Sequence, residues 1–240
     1  MVEPVVTVAN LTKRFGGFTA ISNLTLDLQA AERLGVIGPN GAGKSTLVNL
    51  LTGALAPDQG AVRLLGDDVT RLPAWRRSRL GLSRTFQIPR PFKGMTVREN
   101  VEVAVMFAAG IHDSYEAAQK AESLLRQVGL GGRANARPSA LNQVELRKLE
   151  LARALGADPK VLIADEAMAG LADSEVDDLI ALLMRLNAEG IAIIMIEHIM
   201  RAVIAFSTRI TVIVAGTKIA DGLPDDVLRN PEVVRAYLGE

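Results

Sequence analysis

Two stretches in the second half of the chain are apolar without a break, residues 161–164 and 191–196. Runs this short have strand length, and apolar side chains on both faces predict strands buried on both faces, as in a parallel sheet. Residues 175–188 between them carry helical spacing, so strand, helix and strand follow in order. Residues 34–37 form a further short apolar strand, followed by a helix over 46–55. The N-terminal third is patterned differently. Leu24-Thr25-Leu26-Asp27-Leu28 alternates, as a half-buried antiparallel strand does. Residues 5–8 and 61–65 also read as strands, with a turn at Gly66-Asp67-Asp68. From about Arg84 to Arg153 the pattern changes to one Pro/Gly-punctuated segment, 87–94, and then long helical stretches such as 115–128. Residues 210–214 and 218–220 predict a closing hairpin around Ala215-Gly216, and two short helices end the chain. The expected architecture is α/β: a parallel-sheet core (1–84 and 156–240), an antiparallel β subdomain near the N-terminus, and an inserted α-helical subdomain at about 85–155. Together these make one domain, 1–240.

Composition narrows the chemistry. The chain has 240 residues and 27 basic against 27 acidic side chains, so no overall charge favours nucleic acid as a partner. It has no cysteine, which removes disulfides, thiolate metal sites and thiol nucleophiles. No stretch approaches the roughly 18–20 apolar residues of a membrane-spanning helix. The N-terminus lacks the features of a secretory signal. The expectation is a cytoplasmic chain that a partner can hold at a membrane.

The segment Gly38-Pro39-Asn40-Gly41-Ala42-Gly43-Lys44-Ser45-Thr46 lies between the strand at 34–37 and the helix after it. It matches G-x-x-x-x-G-K-[ST] in full, with the strand–loop–helix context that the pattern requires. Glycines let successive backbone N–H groups converge on phosphate oxygens, and the helix adds its positive end. This predicts a P-loop NTPase core that binds ATP with Mg²⁺. Lys44 is expected on the β- and γ-phosphates, Ser45 on the metal and Thr46 on the α-phosphate. Such a site needs a second acidic group for the metal at the end of a neighbouring buried strand. Asp165 stands there, and Glu166 after it is placed to act as general base or to orient water.

With these residues in place, the chain resembles the ATP-binding subunits of ABC transporters over nearly its whole length. Three more residues fit the family's order and spacing. Phe15 in Thr12-Lys13-Arg14-Phe15 matches the aromatic that stacks on adenine. Gln87 in Arg84-Thr85-Phe86-Gln87 matches the glutamine that touches Mg²⁺ and the attacking water. His198 in Ile196-Glu197-His198 matches the switch histidine that contacts the γ-phosphate. The finer resemblance is to the branched-chain amino-acid importer class. It rests on Arg84–Gln87, Met95-Thr96-Val97-Arg98-Glu99-Asn100-Val101, Glu197-His198-Ile199-Met200 and the ending from Asn230 to Glu240. The resemblance implies a second, different ATPase chain, two integral membrane permease subunits, a solute-binding protein, and a place on the inner face of the cell membrane.

One stretch departs from the family. Where its signature reads Leu-Ser-Gly-Gly-Gln, this chain has Leu141-Asn142-Gln143-Val144-Glu145. In the family this helix end closes over the nucleotide held by the opposite subunit and offers it a hydroxyl, backbone N–H groups and the helix dipole. Val144 adds bulk there and Glu145 a repelling charge. Asn142 with Glu145 three positions on spells a capping box, which satisfies helix-end donors internally. Ala167 and Ala172 also stand where the family usually has proline and an acid or amide, with Asp173 one position late. The expectation is asymmetric: an intact site built on this chain's phosphate loop, and a weakened one where it lends its signature. Two other readings stay open. One is a nucleotide-responsive subunit with weak turnover, and the other a soluble ABC ATPase without a membrane partner.

Overall fold

The structure, a computed structural model, describes residues 3–238. The last two residues of the C-terminal motif, Gly239 and Glu240, lie outside the described residues. The chain begins with two long antiparallel strands, β1 (Val6–Phe15) and β2 (Phe18–Leu28). Both run well past the expected stretches, because their outer halves pair with each other at a hairpin and need no alternating pattern to do so. β3 (Arg33–Ile37) leads through the glycine loop into α1 (Lys44–Thr52). β4 (Gln59–Leu64) and the two-residue β5 (Asp67–Asp68) complete a four-stranded antiparallel sheet in the order β2-β1-β4-β5. The expected turn thus sits one residue earlier, at Leu65-Gly66, where both residues have positive φ.

α2 (Ala74–Arg79) and β6 (Leu82–Arg84) follow. Neither has a clear sequence pattern: both are short, and tertiary contacts decide them. α3 (Val97–Phe107), α4 (Ser114–Gln127) and α5 (Gln143–Leu155) come next, all within 85–155. They pack Val101, Val105, Ala117, Ala121, Leu125 and Leu149 into an apolar cluster that continues under the parallel sheet. Then come β7 (Val161–Asp165), α6 (Asp173–Ala188), β8 (Ala192–Ile196) and the unanticipated α7 (Met200–Phe206). β9 (Arg209–Val214) and β10 (Thr217–Gly222) form the closing hairpin, and α8 (Pro224–Arg229) and α9 (Pro231–Leu238) end it.

The second sheet runs β10-β9-β3-β8-β7-β6, and all its neighbours are parallel except the edge strand β10. Every residue of β7 and β8 is buried, which explains their unbroken apolar pattern. The order decides what meets what. Val36 pairs with Ile196, and Ile196 pairs with Asp165. The start of the glycine loop, the residues after β8 and the end of β7 therefore come level at the carboxyl edge of one sheet, where ligands of open α/β sheets bind. The outer strands of that row lie two spacings apart, about 9.6 Å.

Arg77 of α2 holds α1 in place behind the loop. It is only 1% exposed. Its guanidinium donates to the carbonyls of Leu50 and Leu51 at 2.7 Å, and to those of Leu72 and Thr70 at 3.0 and 3.1 Å. The first two are end-of-helix carbonyls that α1 cannot satisfy itself. Replacing Arg77 with Met strands several buried acceptors, so denaturant unfolding should show a loss of about 3 kcal/mol. A loss below about 0.5 kcal/mol, the range of ordinary surface changes, would contradict this reading.

Candidate functional site

The glycine loop is tied to its surroundings from both sides. Gly43 has φ 104°, and a Cβ there would come within 2.5 Å of the Ala20 carbonyl in β2. Only glycine lets the helix start so close to the antiparallel sheet. Gly41 also has positive φ, 80°, but a Cβ there would meet nothing within 4 Å, so that side of the loop is open. Lys44 lies at the first position of α1 and is buried. Its ammonium donates to the carbonyls of Gly38 at 2.6 Å and Pro39 at 3.1 Å. Burial lowers its pKa, and the charges of Glu166 and Asp165 partly restore it. Ser45 is exposed at the same helix end, and Thr46 is partly buried.

Asp165 ends β7 and is 7% exposed. Its Oδ2 accepts from Arg84 Nη2 at 3.1 Å. Desolvation raises its pKa; Arg84 opposes that, Glu166 adds to it and Lys44 opposes it. Arg84 also donates through Nη1 to Asn49 Oδ1 of α1 at 3.0 Å. One guanidinium therefore bridges the helix after the loop to the acidic strand end. In the sequence Arg84 stands only as the first residue of Arg84-Thr85-Phe86-Gln87, with no role of its own. The signal was the register: Arg84 pairs with Ile163, and Asp165, two residues on, shares a face with Ile163.

Glu166 has φ 45°, uncommon for a residue with a side chain. Its N–H extends the strand ladder by one bond, to Ile196 O at 2.9 Å. Its Oε2 accepts a hydrogen bond from Gln87 Nε2. Lys44, Asp165, Glu166 and Gln87 are thus brought together. The other two candidates stand apart. His198 is 61% exposed in its side chain, with Nδ1 3.9 Å from Glu197 Oε2. Phe15 is exposed on the β1–β2 hairpin, with Lys13 Nζ 5.5 Å from its ring centre.

At the start of α5 the capping box is present. Asn142 Oδ1 accepts from the Glu145 N–H at 2.8 Å, and Glu145 Oε2 accepts from the Asn142 N–H at 3.0 Å. Glu145 Oε1 also accepts from Arg133 Nε at 2.8 Å. The Asn142 N–H and Arg133 hold its carboxyl below the usual range. Gln143 Nε2 donates to Ala169 O at 3.2 Å. Asp173 opens α6 and pairs with Arg201 Nη2 at 3.2 Å.

Comparison with known proteins decides what this arrangement belongs to. The family model described as ABC transporter matches residues 21–169, and that of the branched-chain amino acid ATP-binding cassette transporter matches residues 217–240. The chain belongs to the ABC transporter family. It is an ATP-binding subunit of that family, with the family's ATPase activity. It is 39% identical, over 100% of both chains, to the high-affinity branched-chain amino acid transport ATP-binding proteins BraF of Pseudomonas aeruginosa and LivG of Escherichia coli. Among solved structures it is similar to an ABC transporter cassette in its ADP conformation, at 30% identity and a TM-score of 0.89 over 100% of both chains. No helix among the described residues is long and apolar enough to cross a membrane.

The donors present also suit a hard divalent cation. No group of three or more His, Cys, Asp or Glu side chains that could hold a metal ion occurs among the described residues. Mg²⁺ does not require one, since it takes one or two protein oxygens and completes its shell with phosphate and water. Ser45, Asp165 and Gln87 can supply those oxygens.

Proposed function

We propose that this ABC subunit hydrolyses Mg²⁺-ATP to drive uptake of branched-chain amino acids, as one of two ATPase chains beneath two membrane permease subunits fed by a solute-binding protein. The observation that carries hydrolysis is the Gln87–Glu166 hydrogen bond beside Lys44 and Asp165. The solute rests on the full-length likeness to the two named branched-chain amino acid transport proteins.

In this reading the backbone of Gly38–Gly43 and the Lys44 ammonium bind the phosphates. Thr46 contacts the α-phosphate, and Phe15 stacks on the adenine. Ser45 and Asp165, with Gln87, would hold Mg²⁺, which would supply positive charge against the phosphates. Glu166 orients water or accepts its proton, Gln87 holds that carboxylate in line, and His198 contacts the γ-phosphate. The domain is a single ABC ATPase unit, 1–240, with its helical subdomain at about 85–155.

A groove of about 410 Å³ between α2–β6 and α3–α5 supports a membrane partner. Trp75, Phe86, Phe92 and Phe107 line it and stay exposed. Phe86 is next to Gln87, so a permease segment seated there would touch the chain one residue from the site. This favours a subunit held on the inner face of the membrane over a free-standing soluble ATPase. The capped, acidic start of α5 supports a different second ATPase chain with an intact signature.

The test is reconstitution in liposomes with the membrane subunits, the second ATPase chain and the binding protein. ATP-dependent uptake of labelled leucine is the expected result. Uptake of urea or an amide in its place would overturn the solute, and ATP turnover without any transport would overturn the importer reading.

A further inference from the structure

Arg147 and Glu197 are buried charges to which the mechanism above gives no task. Arg147 lies in α5, two residues after the capping box, and is 7% exposed; Glu197 follows β8 and is 1% exposed. Buried ions persist only when several hydrogen bonds or an opposite charge compensate them. Arg147 Nη1 donates to the carbonyl of Gln87 and, at 3.4 Å, to that of Phe86. Its Nη2 donates to Ala169 O at 3.1 Å. Glu197 Oε1 accepts from the Met168 N–H at 2.9 Å, and its Oε2 lies 3.9 Å from His198 Nδ1. Each charge has one atom without a hydrogen-bond partner in the protein, Arg147 Nε and Glu197 Oε2. Burial lowers the Arg147 pKa, and the charges of Glu197, Glu150 and Glu166 partly offset that.

These contacts converge on three segments: the one carrying Gln87, the one just after Glu166, and the one carrying His198. Arg147 itself belongs to the helix whose first turn stands in the place of the family signature, the end that in the family closes over a partner's nucleotide. We propose that Arg147 and Glu197, which bond to the adjacent residues Ala169 and Met168, act together as positioning residues that couple the helical subdomain to this chain's own nucleotide site, so that ATP at Lys44 moves α5 and its signature end. The inference rests on the functional reading above. A rigid guanidinium fork suits the task, because it holds two carbonyls from different segments at a fixed separation, which a lysine ammonium cannot do. A nucleotide that shifts the Gln87 and Glu166 segments moves the carbonyls that Arg147 holds, and α5 moves with them.

Trp75, the chain's single tryptophan, lines the groove between the core and the helical subdomain, so its fluorescence reports their relative position. Mg²⁺-ATP titrated into the full chain should change that fluorescence. Arg147→Lys and Glu197→Gln should each bind a labelled ATP within about twofold of the unmodified chain, yet lose roughly nine tenths of the Trp75 response. In the complex with the second ATPase chain, kcat should fall about tenfold with KM unchanged. The double variant should be no worse than either single one, because both remove the same link. A merely structural role would lower thermal stability and leave the Trp75 response per bound nucleotide intact, and that result would overturn the proposal. Additive losses in the double variant would also overturn it. If the unmodified chain binds ATP without a Trp75 response, the coupling fails while the functional reading stands. If it binds no ATP, the functional reading fails and the coupling fails with it.

Discussion

Glu166→Gln should leave ATP binding nearly intact and lower the hydrolytic kcat by about 10²–10⁴, the range expected when a general base is removed. Glutamine has almost the same shape, and an amide oxygen can still accept the hydrogen bond from Gln87 Nε2 that positions Glu166. The backbone at this residue has φ 45° and is held by Ile196 O through its own N–H, neither of which the substitution touches. The charge is what disappears. Single-turnover hydrolysis in the presence of the second ATPase chain, compared with equilibrium binding of a labelled ATP, checks this; a kcat within about threefold of the unmodified chain would remove Glu166 from the chemistry. The same substitution has an electrostatic side effect with a definite sign. Glu166 is the larger of the two charges that oppose the burial-driven lowering of the Lys44 pKa. Without it the ammonium deprotonates at lower pH, so the variant should lose ATP affinity at a less alkaline pH than the unmodified chain.

The parts of this site that were legible in the sequence are those where local pattern and tertiary role coincide. β3, the glycine loop and α1 follow one another in sequence, and the residue types that curl the loop are the ones that bind phosphate. β7 was legible because burial on both faces leaves only apolar residues before Asp165. α2 and β6 were not, since six and three residues carry too little pattern to fix an element. The roles of Arg84 and Arg147 went with them. Arg84 reaches Asp165 only because β6 lies beside β7, 81 residues away in the chain. Arg147 reads as an ordinary polar position on an amphipathic helix, and only the packing of α5 against the Gln87 segment turns it inward. The reverse holds for the start of α5. The capping box is a local device written in four consecutive residues, so the sequence displayed it fully and the structure retains both of its hydrogen bonds.

That device leads to the second large effect. Restoring the family signature with Asn142→Ser, Gln143→Gly, Val144→Gly and Glu145→Gln should raise ATP turnover by the chain alone by about a hundredfold, the worth of one well-placed donor at a transition-state oxyanion. In the present sequence the Asn142 and Glu145 N–H groups are occupied by side chains three residues away, and Glu145 carries a full negative charge fixed further by Arg133. A γ-phosphate approaching this helix end would meet spent donors and a like charge. The four changes remove the charge with its tie to Arg133, clear the Val144 side chain, and put a hydroxyl and an uncharged amide at the two cap positions, which a phosphate can displace more easily than a carboxylate. They should also cost about 2 kcal/mol of stability, because two glycines enter the first turn of the helix. Opposite signs for turnover and stability separate this outcome from general improvement of the fold. In the proposed complex the site built on Lys44 draws its signature from the second chain, so there the change repairs one site of two and the gain should shrink to about twofold or less. If the unmodified chain alone already turns over ATP within a few fold of the restored one, and Glu166→Gln abolishes that activity, the start of α5 does not limit hydrolysis and the two composite sites are equivalent.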